Sequence, residues 1–287
     1  MFEIVEKKSL NETVTMMEVY APYVAKKAKP GQFIILRVNE DGERIPLTIF
    51  DSDHKKQTVK IIFQIIGATT KLLNNLEKGE KICDFVGPLG KPSKLDGLKK
   101  VAVVGGGVGC AIAYPIAKYL SQKYCIVHSI VGFRNKNLVI LEDMFKKISD
   151  VFILTTDDGS KGEKGLVTDS LEKLILSGEK YDEVIAIGPL VMMKYVSILT
   201  KKYNIKTTVS MNPIMIDGTG MCGGCRITYN NKTCFACVEG PDFDGHLIDY
   251  DEAIKRNNMY KDLEKKQLEK TCNLLKGEIW KLCQIWV

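Results

Sequence analysis

Four cysteines, Cys222, Cys225, Cys234 and Cys237, fall within sixteen residues of a 287-residue chain that has nine in all. Thiolates at this density point to a metal or cluster, not to a disulfide framework. Two chemistries suit the spacing. Cys222-x2-Cys225-x8-Cys234-x2-Cys237 is a pair of knuckles of the kind that holds tetrahedral zinc. Asp217-x4-Cys222-x2-Cys225-x11-Cys237 has instead the spacing of plant-type [2Fe–2S] proteins, with aspartate in the first position. A carboxylate is a harder ligand than a thiolate but can bind ferric iron. Gly218, Gly220, Gly223 and Gly224 let the backbone wrap closely around the sulfurs in either case. Spacing alone leaves both open. Cys83, Cys110, Cys125, Cys272 and Cys283 are scattered and read as small buried apolar residues.

A second constellation is built from glycine. Val101-Ala102-Val103-Val104 runs into Gly105-Gly106-Gly107-Val108-Gly109-Cys110 and then Ala111-Ile112-Ala113. A buried strand feeding a helix through Gly105, Gly107 and Gly109 lets phosphate oxygens approach the backbone, where the helix N-terminus supplies N–H groups and a favourable dipole. The third fingerprint position is Cys110, so this is not the standard dinucleotide fingerprint; the alternative is a tight turn with no ligand. Thr155-Thr156-Asp157-Asp158-Gly159-Ser160 lies at the end of a later strand. Carboxylates there can accept hydrogen bonds from a ribose 2′-hydroxyl and would repel a 2′-phosphate, which favours NAD(H) over NADP(H). Arg134 and Lys136 argue the other way, since either could reach a phosphate.

The elements that must position these residues have three textures. In residues 1–97, Thr13–Tyr20, Gln32–Val38, Pro46–Asp51 and Val59–Ile66 read as short strands separated by turn formers, which suggests a small antiparallel barrel. Thr70–Leu76 looks helical, and Gly87-Pro88-Leu89-Gly90 breaks the pattern near the domain edge. In residues 98–209, apolar runs at Val101–Val104, Tyr124–Gly132, Val151–Thr155 and Glu183–Ile187 alternate with helical stretches at Leu138–Lys147, Val167–Ser177 and Met192–Tyr203. That alternation indicates a parallel sheet covered on both faces. Residues 210–250 are rich in Gly, Cys and Asp with little periodicity, as expected of a segment stapled by a metal centre. Residues 251–287 read as a helical extension ending near Trp280 and Trp286.

Hydrophobic content of 45% and charged content of 26% are those of a globular protein. The formal charge of +6 comes from scattered lysines, without the dense basic block and interleaved aromatics of a nucleic-acid protein. The N-terminus has acids and no apolar core region, so no signal peptide is expected. The most apolar stretch, 101–117, carries four glycines and falls short of a spanning helix. No membrane role is expected, and the cytoplasm is the expected compartment.

Three segments carry a family resemblance over about residues 1–250: Arg44-Ile45-Pro46-Leu47-Thr48-Ile49, Thr156-Asp157-Asp158-Gly159-Ser160, and Asn212-Pro213-Ile214-Met215-Ile216-Asp217-Gly218-Thr219-Gly220-Met221-Cys222. The chain resembles the ferredoxin reductase-like flavin reductase subunits that sit beside a larger catalytic partner. These include the electron-transfer subunits of class B dihydroorotate dehydrogenase, the small subunits of electron-bifurcating NADH-dependent ferredoxin:NADP⁺ oxidoreductases, and sulfide dehydrogenase-type reductases. The dihydroorotate type carries cysteine at the first ligand position and the transhydrogenase type carries aspartate. Asp217 therefore sides with the latter, and the resemblance implies Asp217, Cys222, Cys225 and Cys237 as cluster ligands, with Cys234 as an extra.

The same resemblance implies an FAD-binding antiparallel β-barrel, a parallel-sheet nucleotide domain and a small iron–sulfur domain. The isoalloxazine would lie along Pro46-Leu47-Thr48 and Ile62-Phe63-Gln64, with Thr48 near flavin N5. Gly67-Ala68-Thr69-Thr70 would open a helix toward the FAD pyrophosphate. Related reductases place an arginine where Ile45 stands; Arg44, one position earlier, is expected on the other side of the strand. Gly188-Pro189 would approach the nicotinamide, and no side chain is needed as acid or base. The implied activity is electron transfer between NAD(H), FAD and a [2Fe–2S] cluster, NADP(H) being an alternative dinucleotide. The implied partner is a larger flavin and iron–sulfur subunit in a heterodimer or higher oligomer, through which ferredoxin and NADP(H) act. A dihydroorotate dehydrogenase partner and a zinc-stapled, non-enzymatic module are the alternatives.

Overall fold

The computed structural model of the chain describes residues 1–269. The first part contains β1 (Phe2–Asn11), β2 (Val14–Tyr20), α1 (Pro22–Lys27), β3 (Phe33–Arg37), β4 (Arg44–Asp53), β5 (Thr58–Gln64), α2 (Ala68–Asn75), β6 (Lys81–Ile82) and β7 (Asp84–Leu89). The strands form one antiparallel sheet in the order β6-β1-β2-β5-β4-β3-β7. Its two edge strands are consecutive in the chain, separated only by Cys83. The sheet must therefore curl until its edges meet, which is the expected barrel.

The second part contains β8 (Lys100–Gly106), α3 (Gly109–Gln122), β9 (Ile126–Phe133), α4 (Glu142–Ile148), β10 (Val151–Thr156), β11 (Glu163–Lys164), α5 (Val167–Leu176), β12 (Glu183–Ile187), α6 (Leu190–Lys202) and β13 (Thr207–Ser210). The last part adds β14 (Arg226–Tyr229), β15 (Lys232–Phe235), α7 (Ala236–Glu239), β16 (Asp242–Asp244) and α8 (Tyr250–Asn257). The second sheet runs β11-β10-β9-β8-β12-β13-β16, parallel except for its last strand. β8 and β12 pair side by side, yet the chain leaves β8 toward β9 and returns to β12 on the opposite side. That reversal makes a crevice at the carboxyl ends of the two strands. Beyond the iron-type ligand segment the chain comes back to this sheet, and β16 pairs antiparallel with β13.

Strand alternation decides which cores meet. On β3, Ile34 and Leu36 enter the barrel core, while Phe33 and Ile35 join a second core that includes Val104, Ala186, Cys225 and Cys237. On β4, Ile45, Leu47 and Ile49 pack on the barrel core, and Phe50 joins the core beneath α3. Phe50 stacks on Tyr114 of α3 with ring centroids 5.4 Å apart. Lys118 of α3 pairs with Asp51 at 3.1 Å. The barrel thus offers one flank to the nucleotide domain and the other to the ligand segment.

Several elements differ from the sequence expectation. Gly87 and Pro88 lie inside β7, so the break they were expected to mark comes later in the chain. The expected helix at Leu138–Lys147 is divided, because Leu141 takes φ 60° and α4 starts only after it. β1 and β13 carry no clear strand signal yet pair fully. Residues 261–269 are helical; the expected helix around Trp280 and Trp286 lies outside the described residues. Among the described residues no helix is long and apolar enough to cross a membrane.

Candidate functional site

The flavin-type face begins on β4. Because Ile45 and Leu47 turn into the barrel, Arg44, Pro46 and Thr48 share the opposite face. Arg44 lies on the other side of the strand from Ile45, as alternation requires, and Ile45 is half-buried against the barrel core. Thr48 stands opposite Phe33, and Pro46 opposite Ile35, in the β3–β4 ladder. Arg44 lies 3.8 Å from Asp84, which also pairs with Arg37 at 2.6 Å. On β5, Ile62 faces outward with Phe50, whereas Phe63 enters the barrel core. Leu47 and Phe63 can therefore offer a ligand on this face only their backbone groups; Gln64 is half-buried on the outer side.

Gly67 precedes α2, and its backbone N–H donates to the Thr70 hydroxyl at 3.0 Å. The Thr69 hydroxyl donates to the Glu43 carboxylate at 3.0 Å. An anion already sits by the first turn of this helix, as the N-terminal dipole favours.

At the crevice, backbone packs on backbone. A Cβ on Gly109 would lie 2.5 Å from the Ile187 carbonyl oxygen and 2.7 Å from the Gly188 Cα. The turn at Gly105–Gly109 and the turn at Gly188-Pro189 are thus brought together, and only hydrogen fits between them. Cys110, in the third fingerprint position, is fully buried under β8, where burial raises its thiol far above the ordinary range. It is a packing residue. One end of the same sheet edge carries the charged loops. The Asp157 N–H donates to Phe133 O at 3.0 Å and the Asp158 N–H to Arg134 O at 3.4 Å, so Arg134, Asp157 and Asp158 are neighbours and all exposed. Asp158 accepts from both the hydroxyl and the backbone N–H of Ser160, at 2.6 and 2.9 Å, which lowers its pKa.

The ligand segment is organised by Asp217. Its Oδ1 accepts from the Thr219 N–H at 3.0 Å and its Oδ2 from the Cys222 N–H at 2.9 Å. Those backbone donors hold the carboxyl down to about 2. Gly218 has φ +74° and a Cβ there would meet Leu89 at 2.6 Å and Ile35 at 3.0 Å. The loop therefore leans directly on β3 and β7, on the face that continues into Pro46 and Thr48. Cys225 and Cys237 are buried with their sulfurs 3.1 Å apart. Burial, and then the neighbouring Cys225, push the Cys237 thiol up to about 12. Cys222 is exposed, and Arg256 of α8 donates to Gly224 O at 3.4 Å behind it. A cavity of about 290 Å³ lies between this loop and α8, lined by Ile214, Ile216, Cys222, Arg226, Arg256 and Tyr260 among others.

These positions test the two ligand sets. Cys234 sits on the β14–β15 hairpin opposite Ile227, where burial first and then Glu239 raise its thiol, and Cys225 pairs instead with Cys237. Among the described residues no three His, Cys, Asp or Glu side chains converge as one mononuclear ion would need. Two pairs, Asp217 with Cys222 and Cys225 with Cys237, suit a two-iron cluster, in which each iron takes two protein ligands. The donor set fits the cluster better than it fits zinc. Sequence reasoning did not find Ile35, Leu89 and Arg256 as the supports of this loop; the one available signal was that β3 is apolar on both faces.

The chain is similar to known proteins over most of its length. The iron–sulfur cluster binding domain of dihydroorotate dehydrogenase B, as a family, matches residues 212–249. A Thermotoga maritima protein described as a homologue of the dihydroorotate dehydrogenase B (NAD⁺) electron transfer subunit is 44% identical over 268 residues, covering 93% of this chain and 94% of that protein. The corresponding subunit of Fusobacterium nucleatum is 32% identical, covering 78% of this chain and 88% of its own length. A chain in the solved structure of an NADH-dependent reduced ferredoxin–NADP oxidoreductase, reported for flavin-based electron bifurcation, is 43% identical. It superposes with a TM-score of 0.89, over 93% of this chain and 96% of that one.

Proposed function

The chain belongs to the family of dihydroorotate dehydrogenase B electron-transfer subunits and their homologues, and we propose that it passes electrons between NAD(H), FAD and a [2Fe–2S] cluster on behalf of a larger flavin and iron–sulfur subunit. The observation that carries this reading is the continuity of one surface. Thr48 and Pro46 lie beside Phe33 and Ile35, and Ile35 supports Gly218, the neighbour of Asp217. A flavin on β4 and irons on the loop would then be separated by little more than one strand.

The cofactors supply hydride exchange with nicotinamide and one-electron exchange with iron. The chain's own residues supply placement. Gly105, Gly107, Gly109, Gly188 and Pro189 give a dinucleotide a backbone-lined crevice. Asp157 and Asp158 accept from its ribose hydroxyls, which favours NADH over NADPH, and Arg134 shares that loop. Arg44, Pro46, Thr48, Ile62 and Gln64 form the flavin face, with the backbone of Leu47 and Phe63, and Gly67, Thr69 and Thr70 open toward the pyrophosphate. Asp217, Cys222, Cys225 and Cys237 hold the irons. Around them Ile216 is 51%, Met221 89% and Val238 43% exposed. An apolar rim of that kind beside a redox centre suits a docking subunit.

The partner is of the ferredoxin:NADP⁺ oxidoreductase type. What supports this is Asp217, which by the family resemblance stands where the dihydroorotate type has cysteine; identity does not separate the two types, at 43% to the solved chain and 44% to the Thermotoga homologue of the dihydroorotate-type subunit. Ferredoxin and NADP(H) would be handled by the partner. The test is a visible spectrum of the anaerobically prepared chain with iron, sulfide and zinc analysis. Flavin bands with two irons and two sulfides per chain are expected from the cluster stoichiometry. One zinc and no flavin would leave the module reading instead.

A further inference from the structure

Both limbs of the ligand loop close at one point. The Met211 N–H, at the loop's start, donates to Pro241 O at 2.9 Å; the Gly240 N–H, just past Cys237, donates to Ala236 O at 3.2 Å. The connection between the barrel and the nucleotide domain passes the same point. The Lys91 N–H donates to Gly240 O at 2.7 Å, the Ser93 N–H to Pro30 O at 3.0 Å, and the Ser93 hydroxyl to Oδ2 of Asp242. Ser210, ending β13, stands opposite Asp242 in the ladder. Barrel, nucleotide sheet and ligand loop are therefore tied together around one carboxyl group.

That group is unusual within this molecule. Its other oxygen, Oδ1, is buried and has no hydrogen-bond partner among the described residues. The groups that act on it are the hydroxyls of Ser93 and Ser210, which favour its charge, and the buried Glu183 of β12, which opposes it. Glu183 is itself paired with Lys206 at 2.7 Å and bound by the Thr208 hydroxyl. Burial above all, then Glu183, hold Asp242 up at about 6 in spite of the two hydroxyls. An orphaned buried oxygen on a carboxyl of that kind is a place for a proton.

We propose that Asp242 is a positioning residue for the cluster, clamping the base of the ligand loop to the interdomain connection and taking a proton when the loop's irons gain an electron. The proposal rests on the cluster reading above. The balance is one electron to the irons and one proton from solvent to Asp242, with no bond between heavier atoms made or broken. A chemical one-electron reductant supplies the electron in the titration. Negative charge added to the ligand loop, whose last proposed ligand Cys237 stands five residues before Asp242, raises the carboxyl's affinity for a proton; by linkage the proton makes the electron easier to add. Below about pH 6 the group is protonated in both redox states and the cluster's potential is level; above it the potential falls as pH rises.

The experiment is a redox titration of the loaded chain, followed by electron paramagnetic resonance, from about pH 5 to about pH 8. The wild-type potential is expected to be level and then to fall, with the bend near the Asp242 value. Asp242→Asn keeps the side chain's size and can still receive the Ser93 hydroxyl, and its potential is expected to be level throughout. An equal slope in both proteins overturns the proposal, because a purely structural anchor would behave that way. Should Asp242→Asn lose the cluster, Ser93→Ala decides: removing a hydroxyl that favours the charge must move the bend to higher pH, and an unmoved bend overturns the proposal. A wild-type chain with no cluster signal overturns the reading and the proposal together, whereas a cluster with a pH-independent potential overturns the proposal alone.

Discussion

The crevice between β8 and β12, in the middle of the sheet, and the ligand loop, at its β13–β16 edge, are held by opposite means. At the crevice the positions are fixed by apolar strands buried on both faces, and two turns meet with only hydrogen between them. At the loop apolar packing anchors Met215, Cys225 and Cys237, but the turn from Asp217 to Cys222 is held by other means. A carboxylate gathers two backbone N–H groups, glycines carry the bends, and support comes from side chains of another domain. A rigid crevice suits a ligand that must come and go in one pose. A loop drawn around acceptor atoms suits metal, whose binding energy can finish an arrangement the chain only begins.

The contrast can be broken experimentally. The largest effect is expected where backbone meets backbone. Gly109→Val pushes a side chain into Ile187 and Gly188, neither of which can yield. Thermal unfolding should show a loss of about 3 kcal/mol or more, with NADH-dependent bleaching of the flavin abolished. If Gly109→Val melts like the wild type, the crevice is not the rigid member of the pair. Next comes Asp217→Ala, which removes a proposed ligand and both loop hydrogen bonds. Iron per chain should drop severalfold while bound flavin is retained, since the barrel core does not include Asp217.

A smaller change is expected for Asp157→Asn combined with Asp158→Asn, which removes two exposed carboxylates from the far end of the crevice. The ratio of NADH to NADPH as flavin reductant should shift by about tenfold toward NADPH without loss of fold. A clear wild-type preference for NADPH would remove the role given to both residues. The junction adds a stability signature of its own. Asp242 binds its proton more tightly folded than unfolded, so its contribution is complete below the ordinary carboxylate range and is lost as pH rises through about 6. Melting temperature of the metal-free wild type should fall across that window and should fall less in Asp242→Asn. Smallest of all is Cys234→Ser, which should leave iron content unchanged.

The same contrast explains what the sequence could and could not tell. β8, β10 and β12 were legible because strands buried on both faces must be continuously apolar. β1, with the sequence FEIVEKKSLN, was not, since its charged residues face solvent while its backbone pairs on both sides. β16 has one apolar residue, Phe243, between two aspartates, and its pairing with β13 depends on a partner more than thirty residues away in the chain. At the site, the ligand types and the glycine turns could be seen in local spacing. The support of Gly218 by Ile35 and Leu89, and the clamp at Asp242, could not, because neither involves residues close in sequence. The side taken by Arg44, opposite Ile45, followed from strand alternation.

The return of the chain to the nucleotide sheet has one more implication. Ser210 and Asp242 are cross-strand partners, so the iron-holding portion enters and leaves at adjacent points. In topological terms it is a cassette spliced into a hairpin, yet its buried residues, among them Met215, Cys225 and Cys237, complete a core shared with β3 and β8, so cutting it out would open that core.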